Sequence, residues 1–310
     1  MAMTERPKPS DWARARRFAA RLGAWDPQAP VPPPLPSGAA VPVPGRGEMF
    51  VRLAEGPPGA LPVLLLHGWT ASADLNWFRV YEPLAARHPV VAVDHRGHGR
   101  GIRDEKPFSL EDCADDAAAL LDVLGMKRAI VVGYSMGGPI TLLMAQRHPD
   151  VVAGVVCEAT AMEWRQSWWE RFVWRFMSLF EAGVRAGTGR GFVKRVVRQA
   201  LEDSPDLEPY RAWLLGEIRR GDPADLAGAG RALGAYDARP FASGLGVPAA
   251  VVVTTRDRLV RPAKQRALAR ALGARVFEIA GDHDVPLVDS RDFARVTLEA
   301  VTVVTQQLLH

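Results

Sequence analysis

Short runs of uninterrupted apolar residues recur along the chain and alternate with stretches of helical periodicity. Val63-Leu64-Leu65-Leu66 ends at His67-Gly68, Val90-Val91-Ala92-Val93 ends at Asp94, and Ile130-Val131-Val132 ends at Gly133. Further runs lie at 151–157 and 249–253, with a strand-like segment at 275–279. Strands without polar alternation are those buried on both faces, as in a parallel sheet. Between the runs, helical spacing predicts helices over about 75–87, 110–124 and 136–147, and a last helix over about 291–309. Strands and helices alternating through right-handed crossovers predict an α/β fold, a doubly wound and mostly parallel sheet in three layers.

The rhythm breaks over 162–239. No strand-like run occurs there, while Trp164, Trp168, Phe172 and Phe176 recur at helical spacing beside a stripe of Trp169, Val173 and Met177. This pattern predicts a helical insertion, leaving 48–161 and 240–310 as the α/β core. Residues 1–47 read differently again. Trp12, Phe18, Leu22 and Trp25 stand among arginines over 11–25, an amphipathic helix expected to pack on the protein's own body rather than on a membrane. Residues 27–47 are rich in proline and are expected to form an extended, polyproline-like arm.

With 310 residues, 48% hydrophobic and 24% charged, the chain is long and apolar enough for a large core, which excludes disorder as its global state. The net charge of +4 is spread along the chain, and without a basic stripe nucleic acid is not an expected partner. Cys113 and Cys157 lie outside any CxxC or Cys/His cluster, and Cys157, closing an apolar strand-like run, reads as a small buried residue. The first residues offer no apolar signal region, and no run of about eighteen apolar residues suits a membrane span. A cytoplasmic protein is therefore expected, with monomer and homodimer both open.

Chemistry enters at Gly133-Tyr134-Ser135-Met136-Gly137-Gly138, a G-x-S-x-G motif that follows a strand and opens a helix. So sharp a turn needs small flanking residues and lifts the serine above the carboxyl end of the sheet. The Met136 N–H then sits at a helix amino terminus, where unpaired donors and the helix dipole stabilise an oxyanion. About seventy residues earlier, His67-Gly68-Trp69-Thr70 follows another strand and offers the Trp69 N–H as a second donor.

With these two motifs the chain resembles the α/β-hydrolase family, from about Met49 to the C-terminus. Asp94-His95-Arg96-Gly97-His98-Gly99 matches that family's D-x-R-G-x-G turn, which is structural, so His95 and His98 stay outside the catalytic set. The family's chain order of nucleophile, acid and histidine implies two further residues. Arg256-Asp257-Arg258-Leu259-Val260-Arg261-Pro262 resembles the acid loop, with Asp257 as the acid that orients the base. Glu158 is the rival, since some relatives place their acid after the neighbouring strand. Gly281-Asp282-His283-Asp284 resembles the histidine loop, with His283 as base; the family more often has glycine where Asp282 stands. Asp282 and Asp284 flanking His283 suggest a raised base pKa.

The resemblance implies a serine hydrolase working through an acyl-enzyme with Ser135, His283 and Asp257, without metal or organic cofactor. Serine at the elbow separates it from the dehalogenases and epoxide hydrolases of this fold, which carry aspartate there. The insertion resembles the helical cap of many relatives. His67, Tyr134, Trp164 and Trp168 are the candidate substrate-binding residues, although the insertion's aromatics are equally suited to its own core. A ceiling rich in Trp, Phe and Met suits small to medium apolar esters, so a carboxylesterase acting on a small-molecule ester is expected. A thioesterase, a C–C bond hydrolase, a cofactor-free perhydrolase and a non-catalytic ligand-binding relative remain open, because fold and triad do not set the substrate.

Overall fold

A computed structural model describes residues 30–165, 205–288 and 290–309. Trp168 and the other aromatics expected at 168–177, like the helix expected over 11–25, lie outside the described residues. The sheet takes strands β1 (Ser37–Val43), β2 (Gly47–Ala54), β3 (Val63–Leu66), β4 (Val90–Val93), β5 (Ala129–Tyr134), β6 (Val152–Glu158), β7 (Ala249–Thr254) and β8 (Arg275–Ile279). Their spatial order is β1-β2-β4-β3-β5-β6-β7-β8. From β4 to β8 every pairing is parallel, while β2 runs antiparallel to both β1 and β4.

The apolar runs are continuous because both sheet faces are covered. Leu64, Leu66, Val131 and Val251 project into one core, whereas Val63, Leu65, Ile130 and Val252 project into the other. On the first side pack α3 (Leu110–Val123), α4 (Gly137–Arg147) and α7 (Pro262–Leu272). On the second lie α1 (Ala73–Trp77), α2 (Tyr81–Ala85) and the final helix α9 (Ser290–Gln307), with the short turn α8 (Val285–Val288) before it. Local chemistry sets the helix starts. Ser72 accepts the Leu75 N–H ahead of α1 and Ser109 the Asp112 N–H ahead of α3. Pro262 occupies the first turn of α7, where a missing N–H costs nothing.

Two expectations change. Residues 37–43 are not a free arm but an edge strand, registered against β2 from Ser37↔Leu53 to Val43↔Gly47. An edge tolerates Pro42, since a missing donor there removes no bond from the interior of the sheet. The single helix expected over 75–87 is two short ones, α1 and α2, with Pro83 in the first turn of the second. Its ring cannot follow residues 79–82 in one continuous helix.

Between β6 and β7 the described chain forms a 3-10 turn (Pro205–Tyr210), α5 (Arg211–Ile218), α6 (Pro223–Ala235) and a second 3-10 turn (Ala242–Gly244). Trp213 and Leu214 of α5 pack with Leu75 and Phe78 beside α1. Among the described residues no helix is long and apolar enough to cross a membrane. The chain leaves β3 toward β4 on one side, and β5 pairs on the other. The loops after β3 and β5 therefore open together at the carboxyl edge of the sheet, where ligands bind in such folds.

Candidate active site

The turn from β5 into α4 is tight enough to exclude side chains. A Cβ on Gly133 would come within 2.2 Å of the Gly137 carbonyl oxygen, and one on Gly138 within 2.3 Å of Thr160 Cγ2. Between them Ser135 takes φ = +51°, a left-handed conformation that an L-residue holds only when its neighbours fix it. Three bonds do so here. The Ser135 N–H donates to Glu158 O (2.9 Å), and its carbonyl accepts the Gly138 N–H (2.9 Å) and the Thr160 hydroxyl (2.8 Å). Met136 follows, buried, at the amino end of α4.

The structure brings Ser135, His283 and Asp257 into one hydrogen-bonded line. His283 Nε2 lies 2.9 Å from Ser135 Oγ, and His283 Nδ1 lies 2.8 Å from Asp257 Oδ2. Asp257 is buried, and donors converge on both of its oxygens. Oδ1 accepts the Leu259 and Val260 N–H groups at 2.9 and 2.7 Å, and Oδ2 accepts the Thr254 hydroxyl at 2.7 Å and Gln265 Nε2 at 3.2 Å. So many donors suit an ionised carboxylate, which can only accept. Nδ1 of His283 is then the protonated nitrogen, and the Nε2 lone pair faces the serine hydroxyl.

Glu158, the rival acid, is fully buried, and neither of its oxygens has a hydrogen-bond partner. Burial pushes its carboxyl up to about 8, with Thr297 offsetting this in part. Its backbone, not its side chain, reaches the elbow.

His67, expected in the substrate pocket, is not brought there. Its ring is wholly buried; the His95 N–H donates to Nε2 at 3.0 Å, which leaves Nδ1 as the donor to Gly68 O at 2.7 Å. Burial lowers its pKa to about 4, so the ring is neutral and shapes the turn after β3. His95 and His98 stack near it, with ring centroids 4.3 and 5.5 Å from that of His67. Trp164 is likewise buried in the core rather than placed on the described cavity.

Tyr134 does border the cavity, and it also does something the sequence did not foretell. Its hydroxyl donates to the His283 carbonyl at 2.7 Å, fixing the histidine loop from below. Asp282 ties the same loop to the acid loop: Oδ1 accepts the Arg258 and His283 N–H groups at 2.9 and 2.8 Å, and Oδ2 takes Arg258 Nε at 2.5 Å. Burial would raise the Asp282 carboxyl, yet those donors hold it below the usual range. The charge that seemed aimed at the base is directed to Arg258 instead.

A cavity of about 370 Å3 opens over Ser135 and His283, bordered by Trp69, Leu75, Ile218 and Leu287 among others. Its wall is mostly apolar, although Thr70, Asn76, Asp282 and Asp284 also line it.

Comparison with known proteins places this geometry in a family. The model of the alpha/beta hydrolase fold matches residues 62–289. Epoxide hydrolase B of Mycobacterium tuberculosis is 38% identical over 117 residues, covering 36% of this chain and 32% of that protein. Curated relatives at 36–38% identity are matched over only 32–40% of their own length. The 2-(acetamidomethylene)succinate hydrolase of Mesorhizobium japonicum is 28% identical over 290 residues, 83% of this chain and 91% of that one. Among solved structures, the enol-lactonase from Burkholderia xenovorans LB400 superposes with a TM-score of 0.72 at 25% identity, covering 85% of this chain and 99% of the other. With its sheet order, its elbow and a family match across most of its length, the chain belongs to the α/β-hydrolase family.

Proposed function

We propose that the protein is a serine hydrolase that cleaves small to medium apolar carboxylic esters through an acyl-enzyme. The observation that carries this reading is the unbroken line from Asp257 through His283 to Ser135 Oγ beneath an apolar cavity. Asp257 holds the imidazole in the tautomer with Nε2 free, so His283 takes the hydroxyl proton as Ser135 Oγ attacks the ester carbonyl. The Met136 and Trp69 N–H groups receive the developing oxyanion. The protonated histidine then gives its proton to the leaving alcohol, and water repeats the sequence on the acyl-enzyme, releasing the acid and restoring the serine.

Of the described residues between β6 and β7, Ile218 of α5 stands at the cavity wall, as a cap over this site would place it. A volume of about 370 Å3 lies toward the lower end of small-molecule sites, which run from about 300 to 1,000 Å3, and favours short or medium acyl chains over long ones. An enol-lactone is itself an ester, so the name of the Burkholderia neighbour agrees with this chemistry. Initial rates on p-nitrophenyl esters from acetate to palmitate, with Ser135→Ala alongside, test the reading. Turnover is expected to peak at short or medium chains and to vanish in the variant. No turnover on any ester, or turnover that survives the loss of Ser135, would refute it.

A further inference from the structure

The turn after β3, residues 68–72, is held from two sides. On the inner side the Gly68 N–H donates to Asn76 Oδ1 at 2.8 Å, and the Ala73 N–H that follows the turn donates to Asp94 Oδ1 at 2.7 Å. On the outer side both partners come from the segment between β6 and β7. The Trp69 indole N–H donates to the Leu226 carbonyl in α6 at 2.7 Å, and the Ser72 hydroxyl donates to Glu217 Oε2 in α5 at 2.6 Å.

Glu217 is only 2% exposed and is itself clamped. Arg220 Nε lies 2.6 Å from its Oε1, and Arg100 Nη2 lies 3.2 Å from its Oε2. Arg100 is anchored in the body by Asp94 (3.0 Å) and Asp74 (2.9 Å). The turn needs such support, because Thr70 sits at φ = +62°. A β-branched residue keeps that left-handed conformation only where its surroundings over-determine it. Two of the bonds that do so belong to α5 and α6.

We propose that α5 and α6 brace the oxyanion loop, with Glu217 as its positioning residue. The segment above the cavity thus sets the aim of the Trp69 N–H as well as covering the substrate. This inference rests on the serine-hydrolase reading and on Trp69 as an oxyanion donor. Ile218 borders the cavity next to Glu217 in the chain, so what binds against α5 reaches the oxyanion loop through a single turn of helix. Substrates that seat α5 align the donor, and substrates that displace it misalign the donor. Specificity would then be read in kcat as well as in KM.

The test is the rate at which a fluorophosphonate probe labels Ser135 in the full chain. Ser135 Oγ bonds to phosphorus, fluoride leaves with the P–F electron pair, and the hydroxyl proton passes to His283. The phosphoryl oxygen calls on the same donors as an ester oxyanion. Glu217→Ala is expected to slow labelling about tenfold or more, the scale of weakening one oxyanion donor. Glu217→Gln, which keeps an acceptor for Ser72, is expected to retain most of the rate.

Trp69→Phe keeps an aromatic side chain but loses the indole N–H together with part of the ring; a severalfold slowing is expected, and this variant carries the test if Glu217→Ala fails to fold. The pH midpoint of labelling should not move. Wild-type rates in both Glu217→Ala and Trp69→Phe would overturn the brace, as would slowing that came with a shifted pH midpoint. Labelling needs no ester. A wild-type chain that labels but hydrolyses none therefore refutes the proposed function alone, and the brace still stands or falls on its variants.

Discussion

Glu158→Gln isolates the effect of a buried, unpartnered carboxyl on stability. Glu158 ends β6 with no exposed surface and no hydrogen-bond partner for either oxygen. Thr297 softens the burial only in part, because its hydroxyl proton goes to the Phe293 carbonyl at 2.9 Å. A folded-state value of about 8 against an ordinary 4.5 spans about three and a half pH units, and each unit is worth about 1.4 kcal/mol. The sign follows from proton binding. Between pH 4.5 and 8 the folded chain keeps a proton that the unfolded chain releases, so stability falls as pH rises through this window.

Below the window the group costs nothing through ionisation, and above it the full penalty of about 5 kcal/mol is in place. Glutamine does not titrate, so its variant is free of that slope. Urea unfolding followed by circular dichroism at pH 5, 6, 7 and 8.5 reads the difference between the two proteins. From pH 5 to 8.5 it should swing by about 4 kcal/mol in favour of the variant. A difference that stays constant with pH would refute the reasoning and mean that Glu158 titrates much as it does in the unfolded chain.

Asp257→Asn is expected to lower kcat by about 10⁴, because the imidazole loses the partner that fixes its tautomer, while Glu158→Gln stays near the wild-type rate in the same ester assay. The reverse ranking would make Glu158 the acid. Tyr134→Phe leaves the ring in place but strips the donor from the His283 carbonyl. At about 1 kcal/mol for one hydrogen bond, kcat should fall about fivefold with KM little changed, whereas a lower Tm at full kcat would count against a positioning role. Gly133→Ala forces a methyl group to within 2.2 Å of a backbone oxygen. It should destabilise the protein by about 3 kcal/mol or more, and an unchanged Tm in scanning calorimetry would contradict the geometry of the elbow.

Strands β3 to β7 were legible because burial on both faces leaves continuous apolar runs with no polar alternation, whereas β8, at the sheet edge, showed only as RVFEI, with charges among its apolar residues. The line of Ser135, Asp257 and His283 was legible because each sits on a loop after a strand, in a fixed chain order. The hairpin of β1 and β2 was hidden. Its first strand, SGAAVPV, lies in a proline-rich stretch and carries a glycine and a proline itself, and the alternation in GEMFVRLA gives a half-covered pattern. His67 misled for a different reason: a histidine after a strand looks the same whether it faces a ligand or its own backbone. Gln265 was invisible because a glutamine inside a helical run reads as surface; it is fully buried, and its amide bonds Thr254, Asp257 and the Val260 carbonyl. The same holds for Asp282 and Glu217, whose partners lie far away in the chain or on another segment.

The line from serine to histidine joins residues 148 positions apart, one at the centre of the sheet and the other beyond its last strand. Contacts so distant in sequence form late, after the costly closure of the intervening chain. A nascent or partly folded molecule, even with β3 to β6 already in place, carries an elbow with no base to activate it. With His283 as the proposed base, chemical competence is expected only once β7 and β8 dock and deliver the histidine loop. On the proposed mechanism, regain of activity during refolding is expected to lag behind regain of helical signal.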